Sequence, residues 1–198
     1  RTPLAGMLGM TTALEATAPD PAQREIVLAM RTSGDSLKSM VDDMLDLERM
    51  ERGALDIRPG LVELEPLLSS VADLFAPSAL ARDVELVVQI RPSAPARFHG
   101  DAQRVRQIVS KLVSNAVKFT QVGRVVLHAS SPGDAPDMLV VEVRDTGPGM
   151  DARRLQRIFT PFAQGDSTVA RRFGGSGLGL SISRQLAEAM GGSLDASS

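Results

Sequence analysis

The sequence has no cysteine, tryptophan or tyrosine, and only two histidines and six phenylalanines among 198 residues. Without cysteine, disulfides and thiolate metal sites are excluded. With His99 and His128 as the sole imidazoles, a zinc site of the usual kind is not expected. The scarcity of aromatics leaves the cores to Leu, Val, Ile, Ala and Met. A charge excess is also missing: 22 basic residues face 24 acidic ones, for a net charge of −2. A protein that grips a nucleic-acid backbone usually carries a clear basic surplus, so no nucleic-acid partner is expected. No run of about 18 apolar residues occurs, so no membrane contact is expected from these residues. No secretory leader is recognisable, and the chain opens on Arg1-Thr2-Pro3-Leu4 rather than Met, as expected of a piece of something longer. What remains, 43% hydrophobic and 23% charged, is an ordinary globular composition with room for one large domain or two modest ones.

The pattern along the chain divides in two. Residues 1–52 read as an antiparallel helical hairpin. Pro3 suits a first helical turn, and Leu4, Met7, Leu8 and Leu14 recur at helical spacing before Ala18-Pro19-Asp20-Pro21 breaks the rhythm. In the second helix Ile26, Met30, Ser33, Leu37, Met40, Met44 and Leu47 alternate steps of four and three, a heptad seam. Two such helices cannot bury their seams alone, which predicts a four-helix bundle in a homodimer. The alternative is an amphipathic helix lying on the domain that follows. After the junction at Arg58-Pro59-Gly60 the rhythm becomes mixed, giving an α+β chain whose second domain covers 61–198. Helices are expected at 65–81, 101–118 and 178–190, with Asp101 a good N-cap, and strands at 84–90, 124–129 and 138–144. The last residues are expected to enter another strand.

Three stretches carry chemistry. On the 101–118 helix, Val105, Ile108, Val109, Leu112, Val113 and Ala116 form an apolar arc, with Arg104, Lys111, Asn115 and Lys118 beside it. An amide at that rim can offer its oxygen to a hard cation and a lysine can neutralise phosphate; a solvated polar stripe looks the same. Leu139, Val141 and Val143 share one strand face, and by parity Asp145 continues it, so its carboxylate is expected to point to the buried side. A buried acceptor beside a cavity suits a ring amine, while an Asp that merely caps the following turn is common. Finally, Gly174-Gly175-Ser176-Gly177-Leu178-Gly179-Leu180 leads into a helix, whose N-terminus can hold an anion. No Gly-Lys-Ser/Thr follows, so this is not a Walker A loop.

In this order the pieces resemble the sensor histidine kinases of two-component signalling. Arg1-Thr2-Pro3-Leu4 is similar to the tail of the H-box, His-Glu-x-Arg-Thr-Pro-Leu. Asp101-x-x-Arg104-x-x-Gln107-Ile108 through Asn115-Ala116-Val117-Lys118-Phe119-Thr120 resembles the N-box. Asp145-Thr146-Gly147-Pro148-Gly149-Met150 resembles the G1 box, Phe159-Thr160-Pro161-Phe162 the F-box, and Gly175-Ser176-Gly177-Leu178-Gly179-Leu180 the G2 box. The resemblance implies an ATP-binding α/β sandwich of the Bergerat type. It implies Mg²⁺ on Asn115, Lys118 near the phosphates, and Asp145 accepting from the adenine amine in a pocket shaped by Gly147 and Gly149. Gly175, Ser176, Gly177, Leu178 and Gly179 would admit the triphosphate, with Arg171 and Arg172 of a 164–176 lid as phosphate contacts. Thr2 would help place water for dephosphorylating the receiver domain of a response regulator. The parent protein would be cytoplasmic, anchored at the inner membrane, and the lid from Phe162-Ala163-Gln164 to Arg172-Phe173 resembles hybrid kinases.

Two departures stand out. The phospho-accepting histidine would precede Arg1, and Lys111 stands where the N-box often has another Asn, either strengthening phosphate binding or disturbing the metal geometry. His99 and His128 are poor substitutes as acceptors. Beside the kinase reading stand a non-catalytic or phosphatase-biased ATP-binding dimerisation module and, lower, another Bergerat ATPase, which would need an acidic residue on the N-box helix after Asp101.

Overall fold

The computed structural model describes residues 2–17, 20–52, 55–133, 135, 138–162 and 177–198, and the side chains of residues 2–4, 36 and 51 lie outside that description. The chain begins with a helical hairpin, α1 (Thr2–Ala16) and α2 (Pro21–Glu51). Asp20 starts α2 through a reciprocal cap: Gln23 N donates to Asp20 Oδ1 at 2.8 Å, and Asp20 N donates to Gln23 Oε1 at 3.1 Å. Pro21 then fills the first helical turn, where a missing N–H is harmless. The two helices meet closely because Gly34 has no side chain. A Cβ there would fall 2.7 Å from Leu8 Cδ2. Val27 is fully buried between them, and Arg31 pairs with Glu15 at 2.7 Å.

The heptad seam of α2 is mostly on the outside. Ile26, Met30, Leu37, Met40 and Met44 are exposed, as are Met7, Met10 and Leu14 of α1. Leu47 turns the other way and packs with Met50 and Leu55 against Ile108, Leu178, Ile182 and Leu186 of the second domain. The two expectations for this helix therefore apply to different lengths of it: an open seam over most of its course, and docking on the next domain at its end.

The second half holds β1 (Gly60–Glu63), α3 (Leu64–Leu80), β2 (Val84–Ile90), β3 (Arg97–Gly100), α4 (Ala102–Phe119), β4 (Gly123–Ser130), β5 (Val140–Asp145), α5 (Ala152–Arg157) and α6 (Gly179–Ala189). The strand at β5 starts two residues later than the pattern suggests. β1, β3 and α5 are additions to the sequence-based reading, each only four to six residues long. β1 and β3 form an antiparallel pair with Leu61 opposite His99. β2, β4 and β5 form the main sheet in that order. β2 and β4 run parallel, which requires the crossover that α4 provides; β5 returns antiparallel to β4. Residues 192–198 carry no strand, contrary to the expected final one.

Side-chain alternation decides where the core sits. Val125, Leu127 and Ala129 of β4 are fully buried on one face, with Val84, Leu86 and Val88 of β2 and Leu139, Val141 and Val143 beside them. Onto this face pack Leu64, Leu67, Leu68 and Val71 of α3 and Val109, Val113, Ala116 and Val117 of α4. Ile108 leaves this core and joins α6 in the second cluster. Among the described residues no helix is long and apolar enough to cross a membrane.

α4 is fixed at its start by Asp101, whose Oδ1 accepts from Gln103 N at 3.0 Å and Arg104 N at 3.1 Å while Oδ2 accepts from Arg58 N at 2.9 Å. Burial alone would raise this carboxyl, but the three N–H donors and the Arg104 charge outweigh it and hold it below the ordinary carboxylate range. A depressed folded value means that the contribution to stability is complete above the ordinary value and is lost as the pH falls through the lower, folded one. Asp101→Ala is expected to lower the unfolding free energy by about 1–2 kcal/mol near neutral pH. In urea unfolding over a pH series, the gap to the native protein should narrow in acid. A gap independent of pH would contradict the carboxylate's role.

Candidate functional site

α4 carries the site because its two sides are both buried by different partners. Val109, Val113, Ala116 and Val117 are committed to the sheet, so the residues a third of a turn away face α6 and the hairpin. Arg104 Nη1 lies 3.4 Å from both carboxylate oxygens of Asp46 and donates to Gln107 Oε1 at 2.9 Å. Gln107 Nε2 donates to Asp46 Oδ2 at 2.7 Å. One turn on, Lys111 Nζ pairs with Asp43 Oδ2 at 3.0 Å. Both aspartates are buried, so these donors offset a desolvation that would otherwise be large.

Asn115 comes next on the same side of α4, half-buried, and its amide makes no side-chain hydrogen bond to a described residue. Lys118 is also half-buried. Its carbonyl accepts from Arg82 Nη1 at 3.4 Å, and its ammonium stands 5.3 Å from the Phe119 ring centre. With Arg82, Phe75, Ser78, Ser114 and Val117 it lines a small cleft of about 190 Å³ towards α3. Burial, and then the nearby charges of Lys111 and Arg82, push its amine below the ordinary lysine value. The four polar residues grouped by the helical pattern are thus divided: Arg104 and Lys111 go to the hairpin, Lys118 to the α3 side, and Asn115 stays between.

Asp145 lies at the end of β5, on the face of Val141 and Val143 as parity requires, but its side chain is exposed rather than buried. The strand runs past the edge of the core, so the face it shares is apolar only further back. Oδ1 accepts from Gly147 N at 2.9 Å, which is the turn-capping role, while Oδ2 makes no hydrogen bond to a described residue. The turn then lies beside the end of α4: a Cβ on Gly147 would fall 2.7 Å from Asp145 Oδ1 and in ordinary contact, 3.5 Å, with the Phe119 carbonyl oxygen. Gly149 has φ +68°, a left-handed conformation that glycine adopts freely. Met150 N donates to Ser198 Oγ at 2.7 Å.

Gly177, with φ +70°, leads into α6, and its carbonyl accepts from Phe162 N at 3.1 Å. Arg171, Arg172, Gly175 and Ser176 lie outside the described residues. So does the Thr2 side chain, although its backbone opens α1. Leu178 is buried in the second cluster, and its own apolar side chain provides no cap for α6. Gly179 begins the helix beneath the Lys111 side chain; any Cβ there would run into Lys111 Cε. Neither histidine joins the site. His99 is exposed on β3, and His128, in β4, accepts from Arg91 Nε at 3.2 Å.

Sequence reasoning missed the partners that lie far along the chain. Asp43 and Asp46 belong to a heptad stretch where acidic residues read as a solvated face. Arg184 of α6 was also unremarked. Its guanidinium stacks 3.7 Å from the Phe159 ring centre, and it donates to Leu194 O at 3.0 Å and Asp195 Oδ1 at 3.1 Å. It thereby joins the F-box, α6 and the final residues. Arg184→Met keeps the length and loses the charge. It is expected to lower stability by about 1–3 kcal/mol, read as an earlier denaturant midpoint; an unchanged midpoint would contradict this bracing role.

Residues 100–198 match the family described as Histidine kinase-, DNA gyrase B-, and HSP90-like ATPase, and residues 1–53 match the His Kinase A (phospho-acceptor) domain. The chain belongs to the histidine kinase family and pairs that family's phospho-acceptor and ATP-binding domains. It is 37% identical over 196 residues to the sensor protein GacS of Pseudomonas syringae pv. syringae, covering 98% of this chain and 22% of the relative. Identity is 38% over 200 residues to the sensor protein TorS of Escherichia coli K12, 100% of this chain and 21% of the relative. The chain therefore spans about a fifth of the length of these relatives. Among solved structures, full-length ShkA in complex with AMPPNP matches with a TM-score of 0.75 at 39% identity, over 96% of this chain and 39% of that one. The histidine kinase AdeS of Acinetobacter baumannii shares the fold, with a TM-score of 0.65 at 16% identity over 94% of this chain and 84% of that one.

Proposed function

We propose that this chain is the catalytic core of a sensor histidine kinase. It binds Mg-ATP in the cleft between α4, the β5 turn and α6, and directs the γ-phosphoryl group to a histidine ahead of Arg1, for relay to an aspartate of a response regulator. Residues 1–52 serve as the dimerising hairpin and 61–198 as the ATP-binding domain. The observation that carries the reading is the double contact of α4: the Lys111 side chain lies across Gly179, and the Phe119 carbonyl meets Gly147. One helix thus brings the amide of Asn115 between the two glycine motifs.

The residues fit the nucleotide. Asp145 Oδ2 is an acceptor for a ring amine, held in place because Oδ1 is tied to Gly147. The N-terminus of α6, where the apolar N-cap Leu178 supplies no side-chain acceptor, directs backbone N–H groups that suit a phosphate. Lys118 lies on the α3 side of the same end of α4, so its ammonium would turn from that side to reach the phosphates. Among the described residues no group of three His, Asp or Glu could hold a metal ion by itself. A magnesium ion would therefore take the Asn115 oxygen together with phosphate oxygens and water, which is its usual habit. When bound, it would neutralise charge developing on the transferred group. The exposed seam of Met, Leu and Ile along α1 and α2 supports a homodimer through a four-helix bundle.

Asp145→Asn is expected to weaken ATP binding roughly ten- to hundredfold, since a charged acceptor becomes an amide whose NH₂ faces the adenine amine. A titration with unchanged affinity would remove Asp145 from the pocket. Asn115→Ala should abolish the gain in affinity that Mg²⁺ confers while sparing metal-free binding. Equal losses with and without Mg²⁺ would contradict the ligand role.

A further inference from the structure

Lys111 has two positions to serve. Its ammonium is 3.0 Å from Asp43 Oδ2 on α2, and its aliphatic stem covers Gly179, where α6 begins. The pair is well shielded, with the lysine side chain 27% and the aspartate side chain 11% exposed. The charge of Lys111 also acts, after burial, on the Lys118 amine two turns along α4, although Lys118 itself lies on the α3 side. Phosphate oxygens approaching the first N–H groups of α6 would meet the lysine stem across Gly179. They would also bring negative charge towards the Asp43 carboxylate. In that arrangement the stem must move, and the ammonium is drawn from one anion to the other.

We propose that Lys111 is a shared cation coupling nucleotide binding to hairpin docking. Paired with Asp43, it holds the ATP-binding domain on α2 and covers the start of α6. Turned to the phosphates, it releases Asp43 and loosens the hairpin contact. This inference rests on the nucleotide site proposed above. The remaining ties, Arg104 and Gln107 on Asp46 and the packing of Leu47 and Met50 around Leu178, stay in place but adjoin the moving group, because Leu178 directly precedes Gly179. By linkage, whatever docking does to ATP affinity, ATP does to docking by the same factor.

The test is a double-mutant cycle of Mg-ATP affinity on the native protein, Asp43→Asn, Lys111→Met and the pair, with the folded state of each checked by its melting transition. Asp43→Asn is expected to tighten binding roughly five- to tenfold when Lys111 is present, the lower end of coupling between sites. In the Lys111→Met background the same substitution should change affinity by less than about twofold. Unchanged or weaker binding in Asp43→Asn, or the same gain in both backgrounds, would overturn the shared cation while leaving the nucleotide site intact. Failure of the native protein to bind Mg-ATP would overturn the site itself and this inference with it. If Asp43→Asn does not fold, amide hydrogen exchange on the native protein decides. Faster exchange over residues 43–50 with saturating Mg-ATP supports the competition, and unchanged or slower exchange overturns it.

Discussion

The burial of α4 on two sides is the constraint from which the rest of the structure follows. Its inner side, Val109, Val113, Ala116 and Val117, fills the space over Val125, Leu127 and Ala129 of the sheet, and deleting methylenes there would leave cavities that a close-packed core relaxes around only in part. With that side fixed, the helix has no freedom to turn. Ile108 must meet α6, and Arg104 and Lys111 must meet the hairpin. The crossover from β2 to β4 and the Asp101 cap set where the helix starts. Its end, at Phe119, sets where the Asp145–Gly149 turn can rest. The proposed nucleotide site, drawn from three sequence motifs, thus depends on the angular position of one helix.

Much of this was legible in the sequence, for physical reasons that differ by element. α2, α3, α4 and α6 show helical periodicity strong enough to place them, with Asp20 and Asp101 capping α2 and α4, and β4 alternates cleanly. The order of the boxes made the family readable, and two of their glycines meet a backbone requirement, the left-handed φ of Gly149 and Gly177, while Gly147 and Gly179 lie close to the side chains of Asp145 and Lys111. β1 and β3 were not legible because a four-residue strand exists only through its partner. Leu61 is paired with His99 across an intervening helix and strand. Asp145 shows the limit of alternation, which gives the face of a strand but not how far the core extends beneath it.

The division of the polar stripe on α4 was the least legible part. Spacing groups Arg104, Lys111, Asn115 and Lys118, but the fates of Arg104 and Lys111 are decided by carboxylates 58 and 68 residues earlier in the chain. A heptad stretch with acidic residues off the seam gives no sign that two of them will be buried. Only the docking of Leu47 and Met50 turns Asp43 and Asp46 inward. Once buried they require cations, and the second domain supplies them from the helix that also carries Asn115. Electrostatic need in the hairpin contact and chemical need in the cleft therefore draw on the same face.

The measurement that bears most directly on the kinase reading is labelling of the full-length protein with ATP carrying a radioactive γ-phosphate. The predicted result is an acid-labile, base-stable phosphate on the protein, lost when the histidine of the H-box ahead of Arg1 is replaced. Binding of ATP with no label on the protein would contradict that reading and leave an ATP-binding or phosphatase-biased module in its place.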